Sequence, residues 1–293
     1  MSNDGVKLRA GVLGTGPLGT VFIFTGRTEY LEKYGPVGAY LSAAGWSVAC
    51  IDWRGQGLSD RLLPDPALGH VGGFPDYQTD VAALVEFAER ENLPKPWTIL
   101  AHSMGGCIAL RALLNGFPAE AALFTGPMWG INISPALRPL ARILPSLAVK
   151  FGMGHWLVPS TKRETYVLVA DPEDNLLTSC AKTYRWLQSQ LRSHPELGIG
   201  GPTLEWLRQA IIETDDLAAI GELSIPTLTF LGSKEQIVNA ARITDFTSRW
   251  SIGQLQMVEG GHHEVLMERA HIRDKVLDDS LAFLAEAIPA RSA

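Results

Sequence analysis

The chain has 293 residues, of which 46% are hydrophobic, and a formal net charge of −6. That length suits one large domain with a full hydrophobic core, or a domain with a sizeable insertion. The acidic balance and the lack of a long lysine and arginine run argue against a nucleic-acid-binding face, so no nucleic acid is expected as a partner.

The cysteines and the first residues bear on the compartment. Cys50, Cys107 and Cys180 are too few and too scattered for a disulfide framework, and they lack the CxxC spacing of metal sites. The opening MSNDGVKLRAGVLG has no apolar stretch of signal-peptide length, and no later run is long enough to span a bilayer. We therefore expect a cytoplasmic protein with no transmembrane segment.

Apolar runs typical of buried strands alternate with helical patterns along the chain. The strand patterns cover residues 21–24, 47–52, 97–101, 121–126, 226–232 and 255–260. The helical patterns cover residues 30–44, 76–92, 104–114 and 270–287, with a further helix between the last two strands. This alternation predicts an α/β fold with a mostly parallel central sheet flanked by helices.

The alternation stops between Pro127 and about Gly221. The intervening residues include several prolines and tryptophans, and they show helical patterns without clear strands, as in residues 178–191. We interpret this stretch as a helical insertion at the upper edge of the sheet. The predicted organisation is a core of residues 1–127 and 221–293, with an inserted helical domain of residues 128–220.

The segment GTGPLG, residues 14–19, matches the GxGxxG pattern of dinucleotide-binding loops. That fingerprint requires a strand before the glycines and a helix that opens at them. Here Pro17 lies inside the motif, and a strand pattern follows it directly. The sequence favours a hairpin turn at this point, and no cofactor is expected.

The segment AHSMGG, residues 101–106, follows the strand pattern WTIL and opens a helical pattern. This is the context of a nucleophile elbow, where the serine lies on a strained strand-to-helix turn and small neighbours relieve crowding. Ala101 replaces the first glycine of the usual GxSxG. The motif predicts that Ser103 projects from the C-terminal edge of the sheet, although a chance match to a strand–turn–helix unit is the alternative.

A serine hydroxyl needs a base to become a nucleophile, and in this context the chain order is serine, acid, histidine. The loop after strand 226–232 contains one carboxylate, Glu235, which could instead be an ordinary surface residue. The next loop, GGHHEV, offers His262 and His263, and position alone does not choose between them. A zinc-binding HExxH would need a histidine at Met267, so no metal is expected.

Two backbone N–H groups are candidates for an oxyanion hole. The first belongs to Met104, directly after the proposed nucleophile, and the second to Arg27, in the TGRTE loop after the early strand VFIF. The alternative for Arg27 is a surface cation.

Several segments together resemble the bacterial lysophospholipases, which are close relatives of the monoglyceride lipases among the α/β-hydrolases. The segments are GRTEYLEKYG (26–35), DWRGQGLSDR (52–61), AHSMGG (101–106), GPMWGI (126–131), GGPTLEWL (200–207) and HEVLME (263–268). The resemblance implies an α/β-hydrolase fold with a helical cap inserted after strand six. It also implies a triad of serine, acid and histidine that cleaves an acyl ester.

Carried over motif by motif, the resemblance assigns the nucleophile to Ser103 and the acid to Glu235. The base falls on His263, directly before the glutamate of HExxxE, and the oxyanion donors match Met104 and Arg27. Two departures stand out, namely Thr-Gly where monoglyceride lipases have His-Gly before the oxyanion donor, and Glu where many relatives have Asp. We expect these changes to alter loop geometry and substrate preference rather than to abolish activity.

The favoured function is a serine ester hydrolase that acts on lysophospholipid or monoacylglycerol-type substrates through an acyl-enzyme. Trp129, Phe151, Met153 and Trp156 are candidates for an acyl pocket, or else for the insertion's own core. The expected partners are a small-molecule acyl ester and, transiently, a lipid surface.

Other functions remain open. The same triad could serve a short-chain carboxylesterase or an amide hydrolase, and the fold could be a non-catalytic ligand-binding scaffold. Epoxide hydrolase and dehalogenase activities are disfavoured, because their nucleophile is aspartate and position 103 is serine.

Overall fold

The computed structural model describes residues 1–159 and 161–288. In these ranges the strands form one sheet in the order β1-β3-β2-β4-β5-β6-β7. The strands are β1 (Arg9–Gly14), β2 (Thr20–Phe24), β3 (Ser47–Asp52), β4 (Trp97–His102), β5 (Ala121–Thr125), β6 (Thr227–Gly232) and β7 (Gly253–Val258). Neighbouring strands run parallel except at one edge, where β1 is antiparallel to β3.

Helices cover both faces of the sheet. They are α1 (Gly35–Ala43), α2 (Asp76–Arg90), α3 (Met104–Leu114), α4 (Arg138–Lys150), α5 (Tyr166–Val169), α6 (Ala181–Ser193), α7 (Leu204–Ala218), α8 (Ala240–Arg249) and α9 (Ala270–Ala287). Along β2, Phe22 and Phe24 join the core cluster that contains α2 and α3, whereas Val21 and Ile23 join the cluster that contains α1 and α9. This alternation follows from the two-residue period of a strand, and it confirms the predicted parallel sheet buried on both faces.

The edge strand β1 corrects one prediction. Both β1 and β2 pair with β3, so the GTGPLG segment between them connects strands that are not neighbours and is not a hairpin turn. The register runs from Arg9 opposite Asp52 to Gly14 opposite Val48. β1 escaped prediction because it lies at the edge, where its residues are only partly buried and its sequence RAGVLG has no continuous apolar run.

Helices α4 to α7 all lie between β5 and β6. We call the residues between these strands, 126–226, the insert. The insert follows the fifth strand and not a sixth, because this sheet has one strand fewer before it than the resemblance implied. It packs closely on the rest of the chain: Trp206, Ala210 and Leu217 of α7 belong to the same hydrophobic core cluster as α3.

Hydrogen bonds also join the insert to the loop after β7. The Leu177 carbonyl accepts the Glu264 N–H at 2.8 Å, and the Thr178 hydroxyl donates to the Met267 carbonyl at 2.9 Å. The buried Glu268 carboxylate accepts the Ser179 N–H and the His262 N–H, at 2.9 and 3.0 Å. No helix within residues 1–159 and 161–288 is long and apolar enough to cross a membrane.

Candidate active site

Ser103 lies at the tight turn between β4 and α3, with the positive φ of 50° and a ψ of −119°. This strained conformation is that of a nucleophile elbow. A Cβ on Gly105 would lie 2.1 Å from the Phe24 carbonyl oxygen, and one on Gly106 would lie 2.5 Å from the Pro127 side chain. The crowding explains why the sequence has two glycines directly after the turn.

The side chains of Ser103, His263 and Glu235 form one hydrogen-bonded chain. His263 Nε2 is 2.9 Å from Ser103 Oγ, and His263 Nδ1 is 2.6 Å from Glu235 Oε2. The three residues come from the turn after β4 and the loops after β6 and β7, which meet at the C-terminal edge of the parallel sheet. With Nδ1–H donating to Glu235, Nε2 has a free lone pair for the serine proton.

Glu235 is held as the ionised partner of the histidine. Burial opposes its charge, but hydrogen bonds from His263 and from the Ile237 and Val238 N–H groups outweigh burial and keep the pKa of Glu235 below its usual value. Gly126 borders this pair, because a Cβ there would lie 3.1 Å from His263 Nδ1 and 3.2 Å from Glu235 Oε2. Glu235, which is longer than the aspartate of many relatives, therefore fits beside His263 only because position 126 has no side chain.

The Met104 and Arg27 N–H groups have no acceptor among the hydrogen bonds of the described residues. Met104 is the first residue of α3, where N–H groups are free and the helix dipole favours negative charge. The carbonyl of Gly26 accepts from Gln56 Nε2 at 2.8 Å. Because the carbonyl and the N–H of a trans peptide point in opposite directions, this bond directs the Arg27 N–H away from Gln56.

Residues 25–29, which we call the oxyanion loop, are anchored at further points. The Trp53 indole N–H donates to the Thr25 carbonyl at 2.8 Å, and the Thr25 hydroxyl donates to the Ile51 carbonyl at 3.3 Å. Thr25 is therefore turned into the core, where it bonds β3. The Arg27 guanidinium lies over the Trp206 ring and donates to the Gly200 carbonyl, so the oxyanion loop also touches the insert.

Sequence reasoning missed a buried charged cluster beside these groups, formed by Glu29, Lys33, His102 and Glu264. Each side chain is at most 6% exposed. Burial raises the pKa of Glu264; at Glu29 burial also opposes the charge, but Lys33 and His102 outweigh it and lower the pKa to about 2. Burial and the nearby His263 and Lys33 lower the pKa of His102 to about 4.

The same cluster contains one group of side chains that could approach a metal ion. Oxygen and nitrogen atoms of Glu29, His102 and Glu264 lie within 4.8 Å of one another. Lys33 Nζ, however, lies 2.6 Å from Glu29 and 2.7 Å from Glu264. The ammonium therefore supplies positive charge where a cation would bind. All four residues belong to the motifs GRTEYLEKYG, AHSMGG and HEVLME, but nothing in those motifs indicates that the side chains meet.

The structure does not bring the four candidate acyl-pocket residues together. Trp129 is fully buried in the core, where its ring packs on Phe246 and its indole N–H donates to the Gly106 carbonyl. Phe151 and Trp156 point outward and are 71% and 56% exposed, and Met153 is partly exposed. Aromatic composition predicted an apolar lining, but all four residues lie in irregular segments outside the helices, where composition does not indicate the direction of a side chain.

Comparison with known proteins matches residues 15–270 to a family model described as serine aminopeptidase, S33. The chain is 33% identical over 272 residues to Lysophospholipase L2 of Escherichia coli (strain K12), covering 88% of this chain and 77% of that protein. It is 28% identical to the Probable lysophospholipase L2 of Haemophilus influenzae, covering 90% and 83%. A solved soluble variant of monoglyceride lipase from Saccharomyces cerevisiae shares the fold, with a TM-score of 0.77, 17% identity and coverage of 99% and 95%.

Proposed function

This chain belongs to the serine aminopeptidase S33 family of α/β-hydrolases, and from that premise we propose that it hydrolyses lysophospholipid or monoacylglycerol-type esters. It is a serine ester hydrolase, and the resemblance to the lysophospholipase and monoglyceride lipase branch is confirmed. The observation that carries the mechanism is the hydrogen-bonded chain of Glu235, His263 and Ser103.

In the proposed reaction, Ser103 Oγ attacks the acyl carbonyl while His263 Nε2 takes its proton. Glu235 holds the imidazole in the required tautomer and stabilises the imidazolium. The Arg27 and Met104 N–H groups donate to the oxyanion. His263 then protonates the leaving alcohol, which leaves an acyl-enzyme, and finally activates the water that releases the fatty acid.

The insert supports the lipid substrate class, and we assign residues 128–220 the role of a cap over the core of residues 1–127 and 221–293. Helix α4 turns an apolar row away from the core, with residues three or four apart. Its exposed residues, with Leu137 before it and Phe151 after it, are Leu137, Leu140, Ile143, Leu144, Leu147 and Phe151. A row of this size on a monomer marks an interaction surface.

The partner that fits this row is an anionic lipid surface. Arg138, Arg142 and Lys150 are exposed on the same helix, and such basic residues beside an apolar face are typical of helices that lie in the membrane interface. Lysophospholipids and monoacylglycerols reside in that interface, so docking there would place the enzyme at its substrate.

We also propose a cytoplasmic location. Cys50, Cys107 and Cys180 are free thiols, and the first two are buried in the core. Unpaired thiols are typical of proteins that work in a reducing compartment.

A substrate panel with a Ser103→Ala control tests the function. We expect turnover of lysophosphatidylcholine and of a long-chain monoacylglycerol, preference for nitrophenyl decanoate over acetate, and labelling of Ser103 by a fluorophosphonate. The Ser103→Ala variant should lose the label and at least about 10³-fold of its kcat.

Other outcomes contradict specific parts of the proposal. Unchanged labelling in Ser103→Ala would exclude Ser103 as nucleophile. A preference for acetyl esters or for anilides would instead identify a short-chain carboxylesterase or an amide hydrolase. Tight ligand binding without turnover of any ester would identify a non-catalytic binding protein.

A further inference from the structure

The buried charged cluster connects the loops that form the candidate active site. Glu29 belongs to the oxyanion loop, His102 directly precedes Ser103, and Glu264 directly follows His263. Lys33 comes from the 3-10 turn before α1. The cluster thus contains the chain neighbours of Ser103 and His263 and a residue of the oxyanion loop, although the proposed mechanism uses none of its members.

Lys33 is the only member of this cluster that contacts both glutamates. Its Nζ lies 2.6 Å from Glu29 Oε1 and 2.7 Å from Glu264 Oε2, and its side chain is 5% exposed. Burial of a charge without a counter-charge is strongly unfavourable, and the Lys33 ammonium supplies that counter-charge to both carboxylates. The ammonium therefore acts as a bridge between the oxyanion loop and the loop that carries His263.

On the oxyanion side, the bridge reaches the backbone that precedes a proposed donor. Glu29 Oε2 accepts the Gly26 N–H and, at 2.7 Å, the Tyr34 hydroxyl. Gln56 Nε2 donates to the carbonyls of both Gly26 and Glu29. The carboxylate that Lys33 holds thus fixes the Thr25–Gly26 peptide, next to the Gly26–Arg27 peptide whose carbonyl Gln56 binds. Together these bonds set the direction of the Arg27 N–H.

On the histidine side, Glu264 has few other anchors. Its backbone N–H donates to Leu177, and its side chain reaches inward to Lys33. The centroids of the His102 and His263 rings are 4.7 Å apart, and His102 Nδ1 lies 2.9 Å from the Thr125 carbonyl oxygen. A displacement of Glu264 would be transmitted directly to His263, the adjacent residue.

We propose that Lys33 is a positioning residue, whose ammonium bridges Glu29 and Glu264 and so fixes the oxyanion donor and the catalytic histidine relative to Ser103. This proposal rests on the proposed serine chemistry and not on the choice of lipid. Misplacement of catalytic groups by about 1 Å costs on the order of 100-fold in rate, so the bridge acts on kcat more than on substrate binding.

The test uses the full chain with nitrophenyl butyrate as substrate and a fluorophosphonate as probe. Lys33→Met leaves two buried carboxylates unpaired and is expected to unfold at lower urea concentration. The double variant Lys33→Met with Glu264→Gln also removes one of these negative charges. It should therefore stay folded and can be used for the kinetic measurements. Arg111→Met is the matched control, because it breaks the Arg111–Glu213 ion pair between α3 and α7, whose Nε–Oε1 distance is 2.7 Å.

We expect the folded double variant to lose about 10- to 100-fold of kcat and of the phosphonate labelling rate, with KM within about twofold of wild type. Arg111→Met should keep wild-type kcat. Full kcat in the double variant would overturn the proposal, since Lys33 would then only neutralise charge. A loss confined to KM would overturn it too. Wild-type enzyme that neither turns over esters nor takes the label contradicts the proposed function as well.

Discussion

His262 and His263 are adjacent in one loop, but their side chains lie in different surroundings. His263 is buried and contacts both Ser103 and Glu235. His262 is only partly buried, and its Nδ1 finds no hydrogen-bond partner within the described part of the chain. The two side chains therefore have different surroundings, and His263 is the one that faces the serine.

We predict that His263→Ala lowers kcat by at least about 10³-fold, because His263 Nε2 is the base that is hydrogen-bonded to Ser103 Oγ. His262→Ala should keep kcat within about threefold of wild type. Steady-state kinetics on a nitrophenyl ester compare the two variants, and circular dichroism checks that both are folded. An inactive His262→Ala beside an active His263→Ala would refute the assignment.

At this scale the sequence identified the three residues of the proposed triad, which are hydrogen-bonded in the structure, but not the groups around them. Ser103, Glu235 and His263 could be predicted because each follows a strand pattern in the chain order of a known mechanism. The role of Lys33 could not be predicted. Its partners Glu29 and Glu264 lie far from each other in the chain and meet only after folding. A lysine at helical spacing from a glutamate reads as an ordinary solvated pair.

Among the elements, α4 differs most from what its sequence alone suggests. Its apolar residues are numerous enough for a core helix, but the core takes up only Pro145 and Ala148. Leu140 and Leu147 stay largely exposed on the outer side. Apolar spacing predicts that a helix has one hydrophobic face, but not whether that face meets protein or lipid.

We predict that Leu140→Ser with Leu147→Ser weakens binding to vesicles of phosphatidylglycerol and phosphatidylcholine by about tenfold or more, because each leucine removes apolar area from water. Turnover of soluble nitrophenyl butyrate should not change. The control pair is Leu18→Ser with Ile252→Ser, exposed residues outside the insert. Sedimentation with the vesicles measures binding, and equal losses in both pairs would argue against a specific surface.

Several regular elements were predicted well from local apolar patterns. The bounds of α3 and α9 match the predicted helices, and β2, β3 and β4 lie where the apolar runs placed them. Prediction failed for β1 at the sheet edge, and it supplied no orientation for the helices of the insert. In both places tertiary contacts, rather than local pattern, decide the conformation.

The buried, neutral His102 makes one pH-dependent contribution to the stability of the whole molecule. The pKa of His102 falls from 6.5 to about 4 in the folded chain, mainly because the ring is buried. Between these values His102 binds more proton in the unfolded chain, so its contribution to the free energy of unfolding is full above pH 6.5 and decreases as the pH falls towards 4. The contribution is on the order of 3 kcal/mol.

We therefore predict that, relative to His102→Gln, wild-type protein loses stability between pH 6.5 and pH 4, because the variant lacks this titrating group. Urea unfolding at pH 7.5, 6.5, 5.5 and 4.5 measures both proteins. His194→Gln is the control, because His194 is exposed and should leave the wild-type slope unchanged. Parallel pH profiles for wild type and His102→Gln would contradict the prediction.

The hydrogen bonds between the insert and the loop after β7 have a consequence for how relatives of this chain diversify. Insertions between neighbouring strands can be exchanged in evolution as modules, and α4 to α7 fall within one such connection. Here, however, Thr178 and Ser179 of the insert hydrogen-bond to Met267 and Glu268. These partners lie about ninety positions later in the chain, outside the insert, and would not be exchanged with it. A chimaera that carries a foreign insert should therefore succeed more often when residues 262–268 come from the same donor.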